Sequence, residues 1–353
     1  MKNDFSVSLK NLAGKIDDVI ASSTFPCRVK PDYLGKAMQS YPANGGKRLR
    51  PVIMLWSAAL AGGDTARLFP AAAALEIFHN WTLVHDDIID DDDTRRGKPT
   101  AHIQLANAVN SSPQRRKKFG SDMAILAGDL MQGWAFELID QSDVRPEVKL
   151  KAAAELRHYG YIRLVSGEAV DVAMSYCRAE DITEAELFEM QSGKTGALLH
   201  YAARAGWMLG REDAGAWDDA EAKALGEFGE KLALAFQMRD DYLGIFGNFE
   251  EFGKPIGSDL AEGKATVLLL HALKNLPDAG KERLKSLLYR ECYTVDELEE
   301  IRRIFTQCGS TEYLLNKIAF MTHAAQECLA QLPDTPERKY LSDLADYLIN
   351  REK

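Results

Sequence analysis

Apolar residues recur every three or four positions along most of this 353-residue chain. This spacing places them on one face of a helix, whereas strand-like alternation between Asn-Gly or Asp-Gly turns is missing. We therefore predict an all-α fold. The predicted helices cover residues 5–20, 50–62, 65–92, 121–141, 146–176, 183–210 and 214–247, and shorter amphipathic ones follow, such as 295–307 and 311–331.

Glycine and proline cluster between these segments, for example in NGGKRLRP near 44–51 and FGNFEEFGKPIGS near 246–258. Such clusters mark loops, and none has the length or bias of a flexible tether. No internal repeat is visible. We predict a single domain over residues 1–353, with a motif-bearing core at about 40–275 and a helical C-terminal scaffold at about 276–353.

The balance of charge narrows the possible partners. A net charge of −10 and a pI near 5.3 argue against nucleic acid, whose binding needs a basic face. Phosphorylated small molecules remain possible where carboxylates hold a divalent cation. Five cysteines without CxxC spacing, and no signal-like or membrane-spanning run, favour a cytoplasmic protein without stable membrane insertion.

Two acidic clusters interrupt helical patterns. In LVHDDIIDDDDTRRG, Asp86 and Asp90 lie one turn apart on one helical face, and in FQMRDDYLGIFG, Gln237, Asp240 and Asp241 share a face. A bare pair of aspartates is often a solvated cap. Here the second pair follows a mostly apolar stretch, so we predict a metal site shared between two facing helices.

A basic motif precedes the first cluster. In GGKRLRP we expect Pro51 at the first helical position, which sets Lys47 and Arg50 at a helix start, where anions are favoured. A lone motif of this kind would be read as a surface loop. His79 lies almost two turns before Asp86 on the same face, although a lone histidine is more often a core residue.

Five motifs occur in order: GGKRLRP, DDIID followed by RRG, a Lys-Thr pair, FQMRDD and two spaced Gly-Lys pairs. With them the chain resembles the trans-prenyl diphosphate synthase family over roughly residues 40–275. The resemblance implies an isoprenoid synthase type I fold, a helical bundle around a central cavity, and a homodimer. It also implies magnesium-dependent head-to-tail condensation of isopentenyl diphosphate with dimethylallyl, geranyl or farnesyl diphosphate.

The resemblance also implies roles for individual residues. About three Mg²⁺ ions would be held by Asp86 and Asp90, with Asp87 nearby, and by Asp240 with Asp241, where Asp240 would be the main contact. The allylic diphosphate would be bound by Arg95, Lys194, Lys254 and Lys264. Isopentenyl diphosphate would be bound by Lys47, Arg50, His79 and Arg96. Oxygens of Thr195 and Gln237 would face the allylic cation.

Product length in the family depends on bulk beneath the first acidic motif, at Trp81 and Thr82. A helical wheel puts Thr82 about 40° and Trp81 about 140° from Asp86, so the role of Trp81 as a floor depends on the resemblance, and core packing is the alternative. We expect geranylgeranyl diphosphate, with a farnesyl or longer polyprenyl product as the alternative.

The sequence departs from the family at two positions. Glu168 replaces the usual glutamine three residues before Asp171, and Gly244 stands where many members carry a third aspartate. A class I terpene cyclase and a non-catalytic partner subunit are the competing interpretations. Lys47, Arg50 and the second acidic pair argue against the cyclase, which needs no second diphosphate site.

Overall fold

The computed structural model of the chain describes residues 2–247, 256–290 and 292–350, and these residues confirm the predicted all-α fold. None of their helices is long and apolar enough to cross a membrane. The helices in the first part of the chain are α1 Lys2–Ser22, α2 Phe25–Arg28, α3 Asp32–Ala43, α4 Leu49–Leu60, α5 Phe69–Ile89, α6 Ala101–Ala106, α7 Pro113–Asp140, α8 Pro146–Glu155 and α9 Ile162–Ser175. They are followed by α10 Glu184–Gln191, α11 Ala197–Arg211, α12 Ala220–Phe246, α13 Ser258–Ala261, α14 Val267–Asn275, α15 Asp278–Lys285, α16 Val295–Gln307, α17 Ser310–Leu329 and α18 Pro336–Ile349.

A short antiparallel hairpin follows α5. Its strands β1 Thr94–Arg95 and β2 Lys98–Pro99 pair Thr94 with Pro99 and Arg95 with Lys98. The two turn residues, Arg96 and Gly97, both have positive φ angles, of 52° and 71°. This is the conformation that a two-residue hairpin turn requires.

The fold divides into two compact units. Unit 1 contains Met1–Ala154 and Ala202–Ala222, and in it α5 packs against α7, α4 and α1. Its core includes the buried rings of Trp56, Phe78 and Trp134. Gly206 and Gly210 let the end of α11 touch the backbone of α4, because a Cβ at either glycine would collide with a carbonyl oxygen of α4.

Unit 2 contains Glu155–Tyr201 and Lys223–Lys353. Its apolar core joins α14, α16 and α17, with Leu269, Phe305 and Leu314 fully buried. Burial of each such side chain stabilises the fold by about 1.5–3 kcal/mol. Helix α9 packs against α10 and against the turn that follows α10. The predicted single domain stays a prediction.

The structure differs from the predicted helices mainly at their ends and interruptions. Helix α5 ends at Ile89 instead of residue 92, since Asp91 takes a left-handed φ of 54°. Helix α7 begins at Pro113, eight residues before the predicted start, and α3 was not predicted. Because α4 begins at Leu49, Pro51 occupies the third helical position and the prediction of the first was wrong. A proline is still tolerated there, since the first four N–H groups have no intrahelical acceptor.

Wider turns of the π type interrupt two predicted helices, at Leu156–Tyr161 and Ser192–Gly196. The second turn carries the predicted Lys-Thr pair, and we call it the π turn below. Turns of this kind occur frequently at functional sites.

Candidate active site

The first acidic cluster lies at the end of α5 in unit 1. Asp87 is fully buried and is held by three donors: Tyr41 Oη donates to its Oδ2, while Arg95 Nε and Nη2 lie 2.7 Å and 2.6 Å from Oδ1. Arg95 Nη2 also lies 3.2 Å from Asp86 Oδ2. Burial raises the pKa of Asp87 in spite of the bonds from Arg95 and Tyr41. Arg95 thus bridges the first two aspartates of the motif.

The motif's aspartates face different surroundings. Asp86 is partly exposed and Asp90 is exposed at the helix end, where its N–H donates to the carbonyl of Asp86. Asp87 points into the protein. The loop after Asp90 is fixed by Thr100, whose hydroxyl donates to the carbonyl oxygen of Asp92 at 2.8 Å. Of the predicted pair, Asp90 is therefore exposed and Asp86 partly exposed, whereas Asp87 anchors Arg95.

A cluster of arginines surrounds His79 in unit 1. Burial, followed by the positive charges of Arg50, Arg96, Arg95 and Arg48, lowers the pKa of His79 well below its ordinary value. Burial also lowers the pKa of Arg50 to about 10. The Nε of Arg50 is buried without a hydrogen-bond partner in the described part of the chain. The arrangement keeps His79 neutral near pH 7 and leaves a region of positive potential suited to an anion.

Arg48 was not singled out in the sequence, and it organises this basic cluster. Its guanidinium is buried and lies 2.8 Å from Glu76 Oε1 and 2.7 Å from Asp17 Oδ1. Arg96 donates to the carbonyl oxygen of Gly45, which lies in the same loop as Arg48. A Cβ at Gly46 would crowd both guanidinium groups, which explains a glycine at this position. Lys47, the remaining predicted contact, is exposed on the loop.

The two positions predicted to set chain length lie on α5, two turns before its end. Trp81 is buried and packs edge to face against Phe78, with ring centroids 4.9 Å apart, and against His85 at 5.8 Å. Thr82 is partly buried, and its hydroxyl donates to the carbonyl oxygen of His79 at 2.7 Å. These contacts agree with core packing for Trp81, and the floor role stays a prediction.

In unit 2 the π turn presents Lys194 to α9. Lys194 Nζ lies 2.6 Å from Asp171 Oδ2 and 2.9 Å from Glu168 Oε2. The approach is close because Gly167 and Gly193 face each other, and a Cβ at Gly167 would collide with the backbone of Lys194. Lys264 joins the group, with its Nζ 3.9 Å from Asp171 Oδ2. We call these four charged residues, Glu168, Asp171, Lys194 and Lys264, the lysine cluster.

The second acidic pair lies on α12 and connects to the π turn through Gln237. The hydroxyl of Thr195 lies 3.4 Å from Gln237 Oε1, and Gln237 Nε2 donates to Asp241 Oδ1 at 3.0 Å. Asp241 is buried, and its Oδ2 has no hydrogen-bond partner among the described residues. Asp240, the neighbouring aspartate, is partly exposed.

Asp259 was not identified in the sequence, yet it affects this pair. Burial, followed by the charge of Asp259, raises the pKa of Asp241 to about 7, against the opposing effects of Gln237 and Lys264. Asp259 thus supplies a carboxylate near the second pair, where Gly244 has none. In the sequence, the position of Asp259 between the two Gly-Lys pairs could have indicated that it lies near the site. The carbonyl oxygen of Gly244 accepts a backbone hydrogen bond from the N–H of Gly257 at 2.9 Å. Lys254, which was predicted to bind the allylic diphosphate, lies outside the described residues.

A partly buried polar network that was not predicted from the sequence holds the other side of the π turn. The hydroxyl of Ser192 is shared between Arg163 Nη2, at 2.7 Å, and Glu230, which also lies 3.1 Å from Arg163 and 3.3 Å from His200. Burial works to raise the pKa of Glu230, but bonds from His200, Arg163 and Ser192 outweigh it and lower the pKa to about 2. The ring of Tyr159 stacks on His200 at 4.1 Å.

The donor set suits a hard divalent cation. In residues 2–247, 256–290 and 292–350, no three His, Cys, Asp or Glu side chains form a ready-made metal cage. Mg²⁺ is commonly bound by one or two carboxylates together with substrate phosphates. The buried Oδ2 of Asp241, which lacks a hydrogen-bond donor, is the kind of ligand that such an ion would satisfy.

Comparisons with known proteins agree with this geometry. Residues 31–305 match the model of the polyprenyl synthetase family. A geranylgeranyl diphosphate synthase of Methanosarcina mazei is 35% identical over 347 residues, which cover 98% of this chain and 97% of that protein. The crystal structure of a geranylgeranyl pyrophosphate synthetase from Pyrococcus horikoshii has a TM-score of 0.85 and 33% identity, and the match covers 99% of this chain and 100% of that one.

A third match contains ligands. The geranylgeranyl pyrophosphate synthase of Corynebacterium glutamicum, complexed with isoprenyl diphosphate and magnesium, has a TM-score of 0.81 and 26% identity, with 98% of each chain covered. The helical fold and these matches define an enzyme of the prenyltransferase class. The chain belongs to the polyprenyl synthetase family, which confirms the predicted family, its type I isoprenoid synthase fold and its enzymatic class.

Proposed function

We propose that this chain makes geranylgeranyl diphosphate by condensing isopentenyl diphosphate with an allylic diphosphate in the presence of Mg²⁺. One observation carries the proposal: the chain has two separate groups of cationic side chains, the arginines around His79 in unit 1 and Lys194 with Lys264 in unit 2. A condensation needs two diphosphate sites, whereas a cyclase needs one.

The allylic diphosphate is assigned to the acidic motifs and their neighbouring cations. About three Mg²⁺ ions would be held by Asp86 and Asp90, with Asp87 nearby, and by Asp240 and Asp241. When bound, magnesium offsets the charge that builds on the departing diphosphate. Arg95, Lys194, Lys254 and Lys264 complete the binding of that group.

Isopentenyl diphosphate is assigned to the basic cluster of unit 1. Lys47, Arg50 and Arg96 supply positive charge, and the depressed pKa of His79 leaves its imidazole neutral. A neutral imidazole donates one hydrogen bond to a phosphate oxygen without adding to the repulsion among the arginines. The ion pair between Arg48 and Glu76 holds in place the loop that carries Lys47.

The chain's own groups then stabilise the reacting carbon. Loss of diphosphate leaves an allylic cation, the isopentenyl double bond attacks it, and a proton leaves to the released diphosphate. The Thr195 hydroxyl and the Gln237 amide oxygen are the polar groups assigned to face the cation. Partial charges at about 4 Å remain effective at an effective dielectric constant near 20.

We assign the control of product length to the side chains of α5 near the first acidic motif. Trp81 is a large buried side chain five residues before Asp86 on the same helix. Trp81→Ala should lengthen the main product, measured by chromatography of the dephosphorylated prenols. Thr82→Ala, one residue on, should change the length less. An unchanged distribution in Trp81→Ala would remove the floor assignment, and a wild-type product of fifteen carbons would favour the farnesyl alternative, in which this tryptophan blocks the chain earlier.

The purified chain tests the proposed reaction directly. Labelled isopentenyl diphosphate should be consumed with dimethylallyl, geranyl or farnesyl diphosphate, should give a twenty-carbon product, and should stop in EDTA. Diphosphate release without isopentenyl diphosphate would instead indicate a cyclase. No consumption with any primer would indicate a partner subunit.

The remaining assignments concern the whole protein. We propose one synthase domain and a homodimer in the cytoplasm. The exposed apolar side chains of Ile125 and Leu126 on α7 support self-association, because apolar surface gains from burial in an interface. Light scattering on the purified chain should give twice the monomer mass, and a monomer mass at micromolar concentration would contradict the homodimer.

A further inference from the structure

Lys194 is paired with two carboxylates at once. Its Nζ lies 2.6 Å from Asp171 Oδ2, and 2.9 Å and 3.1 Å from the two oxygens of Glu168. Asp171 and Glu168 are three residues apart on α9, so they project from the same face of the helix. Glu168 therefore contacts Lys194 through both oxygens.

The charge of the lysine cluster depends on Glu168. Two lysines, Lys194 and Lys264, face two carboxylates, so the cluster has no net charge with which to attract a diphosphate. The family resemblance gives glutamine as the usual residue at position 168, and a glutamine would leave the cluster with one net positive charge. Asp259, whose charge acts on the neighbouring Asp241, adds further negative potential.

Burial makes this added charge effective. The side chains of Glu168, Asp171 and Lys194 are 18%, 9% and 23% exposed, which places them away from bulk solvent. Charges in such positions are screened less by water and salt than surface pairs. A carboxylate within 3 Å of Lys194 thus competes with any anion that needs the same ammonium group.

We propose that Glu168 is a positioning residue that acts through Lys194 as an internal competitor of the diphosphate. It weakens diphosphate binding when no metal is present and makes tight binding depend on divalent cations. The inference rests on the proposed function, since it takes the anion at Lys194 to be a diphosphate. Diphosphate without metal, including the released product, is then held weakly.

Binding of inorganic pyrophosphate tests the inference without catalysis. Glu168→Gln keeps the size and the hydrogen-bonding oxygen but removes the charge. Glu227→Gln is the matched control, because it removes one charge from a Glu-Lys pair of 3.1 Å whose glutamate is exposed on the surface of α12. Isothermal titration calorimetry should be run on all three full-length proteins, first in EDTA and then with saturating Mg²⁺.

In EDTA, Glu168→Gln should bind pyrophosphate about tenfold more tightly than wild type, a difference of about 1.4 kcal/mol. Glu227→Gln should match wild type, and saturating Mg²⁺ should shrink the advantage to less than about threefold, since added cations compensate the carboxylate. If neither wild type nor Glu168→Gln binds in EDTA, the Mg²⁺ concentration for half-maximal pyrophosphate binding becomes the measurement. It should be several-fold lower in Glu168→Gln.

Three results would overturn the inference: equal affinities and Mg²⁺ midpoints in wild type and Glu168→Gln, an equal gain in Glu227→Gln, or weaker binding in Glu168→Gln. The last result would mean that the carboxylate orients Lys194 for the anion. Failure of the proposed function is distinguishable. A wild-type chain that condenses no isopentenyl diphosphate, yet shows the pyrophosphate effect, refutes the reaction and keeps the competitor role.

Discussion

The two acidic pairs have the same sequence, Asp-Asp, but opposite electrostatic surroundings. In unit 1, buried Asp87 is matched by Arg95 and by the Tyr41 hydroxyl. In unit 2, buried Asp241 receives one hydrogen bond from Gln237, and its pKa rises to about 7 under burial and the charge of Asp259. In both pairs the first aspartate is the more accessible one.

The difference shows that a carboxylate's role is set by its neighbours. A buried charge with a cationic partner is structural, and removing the partner is costly. A buried carboxylate among other acids raises the free energy of the folded protein until a proton or a metal ion compensates it. We therefore expect the first pair to organise the fold of its loop and the second to respond more strongly to pH and cations.

The largest effect should come from the first aspartate of each pair. Asp86→Ala and Asp240→Ala should each lower turnover by about 10²–10³-fold at saturating Mg²⁺, because a group that compensates transition-state charge is lost. Asp122→Ala, which removes a surface carboxylate paired with Lys118, is the control and should keep normal turnover. Near-normal turnover in either Asp86→Ala or Asp240→Ala would break the assignment of that pair to the metal site.

The structural role of the first pair is tested by its partner. Arg95→Ala should destabilise the protein by about 3–5 kcal/mol, because it leaves Asp87 buried without its cation. Urea unfolding at pH 7 measures the change. Arg283→Ala is the control, since it breaks the exposed ion pair with Glu300 and should alter the unfolding midpoint little. Equal losses in the two variants would mean that burial of Asp87 is unimportant.

Neutralising the second aspartate of each pair should change stability by different amounts. The folded-state pKa of Asp241 is raised from 3.8 to about 7, so the folded protein binds this proton more tightly than the unfolded chain does. The carboxylate's cost is then fully present above about pH 7 and is relieved as the pH falls through the folded-state pKa.

In EDTA at pH 8, Asp241→Asn should therefore stabilise the protein by about 1–3 kcal/mol, and the gain should shrink below pH 6. Asp87→Asn should not give this gain, because it removes the charge that compensates the guanidinium of Arg95. Urea unfolding of both variants across pH 5–8 measures the difference. No gain from Asp241→Asn at pH 8, or an equal gain from Asp87→Asn, would show that the two pairs are electrostatically alike.

The smallest effect concerns the network behind the π turn. Ser192→Ala removes the hydroxyl shared by Arg163 and Glu230 and should cost about 1 kcal/mol in stability. It should raise the KM for the allylic diphosphate several-fold, with little change in kcat, because Lys194 lies two residues away. Ser286→Ala, at a surface hydroxyl, should change neither. A fall in kcat alone would argue that the network acts on chemistry instead of binding.

The sequence predicted the helices and the main chemical groups because both leave periodic or ordered patterns. Spacing alone put Asp86 with Asp90, and Gln237 with Asp241, on common faces. Pattern could not reveal Arg48 or Glu230, since their partners Glu76 and Arg163 are distant in the chain and become neighbours only through packing. Each of the two π turns adds one residue to a helical turn. No glycine-proline pair marks either position, so the apolar periodicity predicted an uninterrupted helix through both.

Asp259 and Glu168 show two further limits. Asp259 lies in a short helix after the second acidic motif, and its influence on Asp241 depends on how the chain returns toward α12. Glu168 was visible as a departure, but its meaning required the distance to Lys194. Residue type was readable from the sequence, while the balance of charge around each residue was not.

The contact between Gly167 and the backbone of Lys194 also restricts how this enzyme can be altered. A larger side chain at 167 would push the π turn away from α9, so natural variation or protein engineering cannot adjust the position of the ammonium group from that side. The ammonium group can instead be tuned through charge at position 168, where the carboxylate lies 2.9 Å from Lys194 Nζ. A change there alters the attraction for anions without altering the contact between the two backbones.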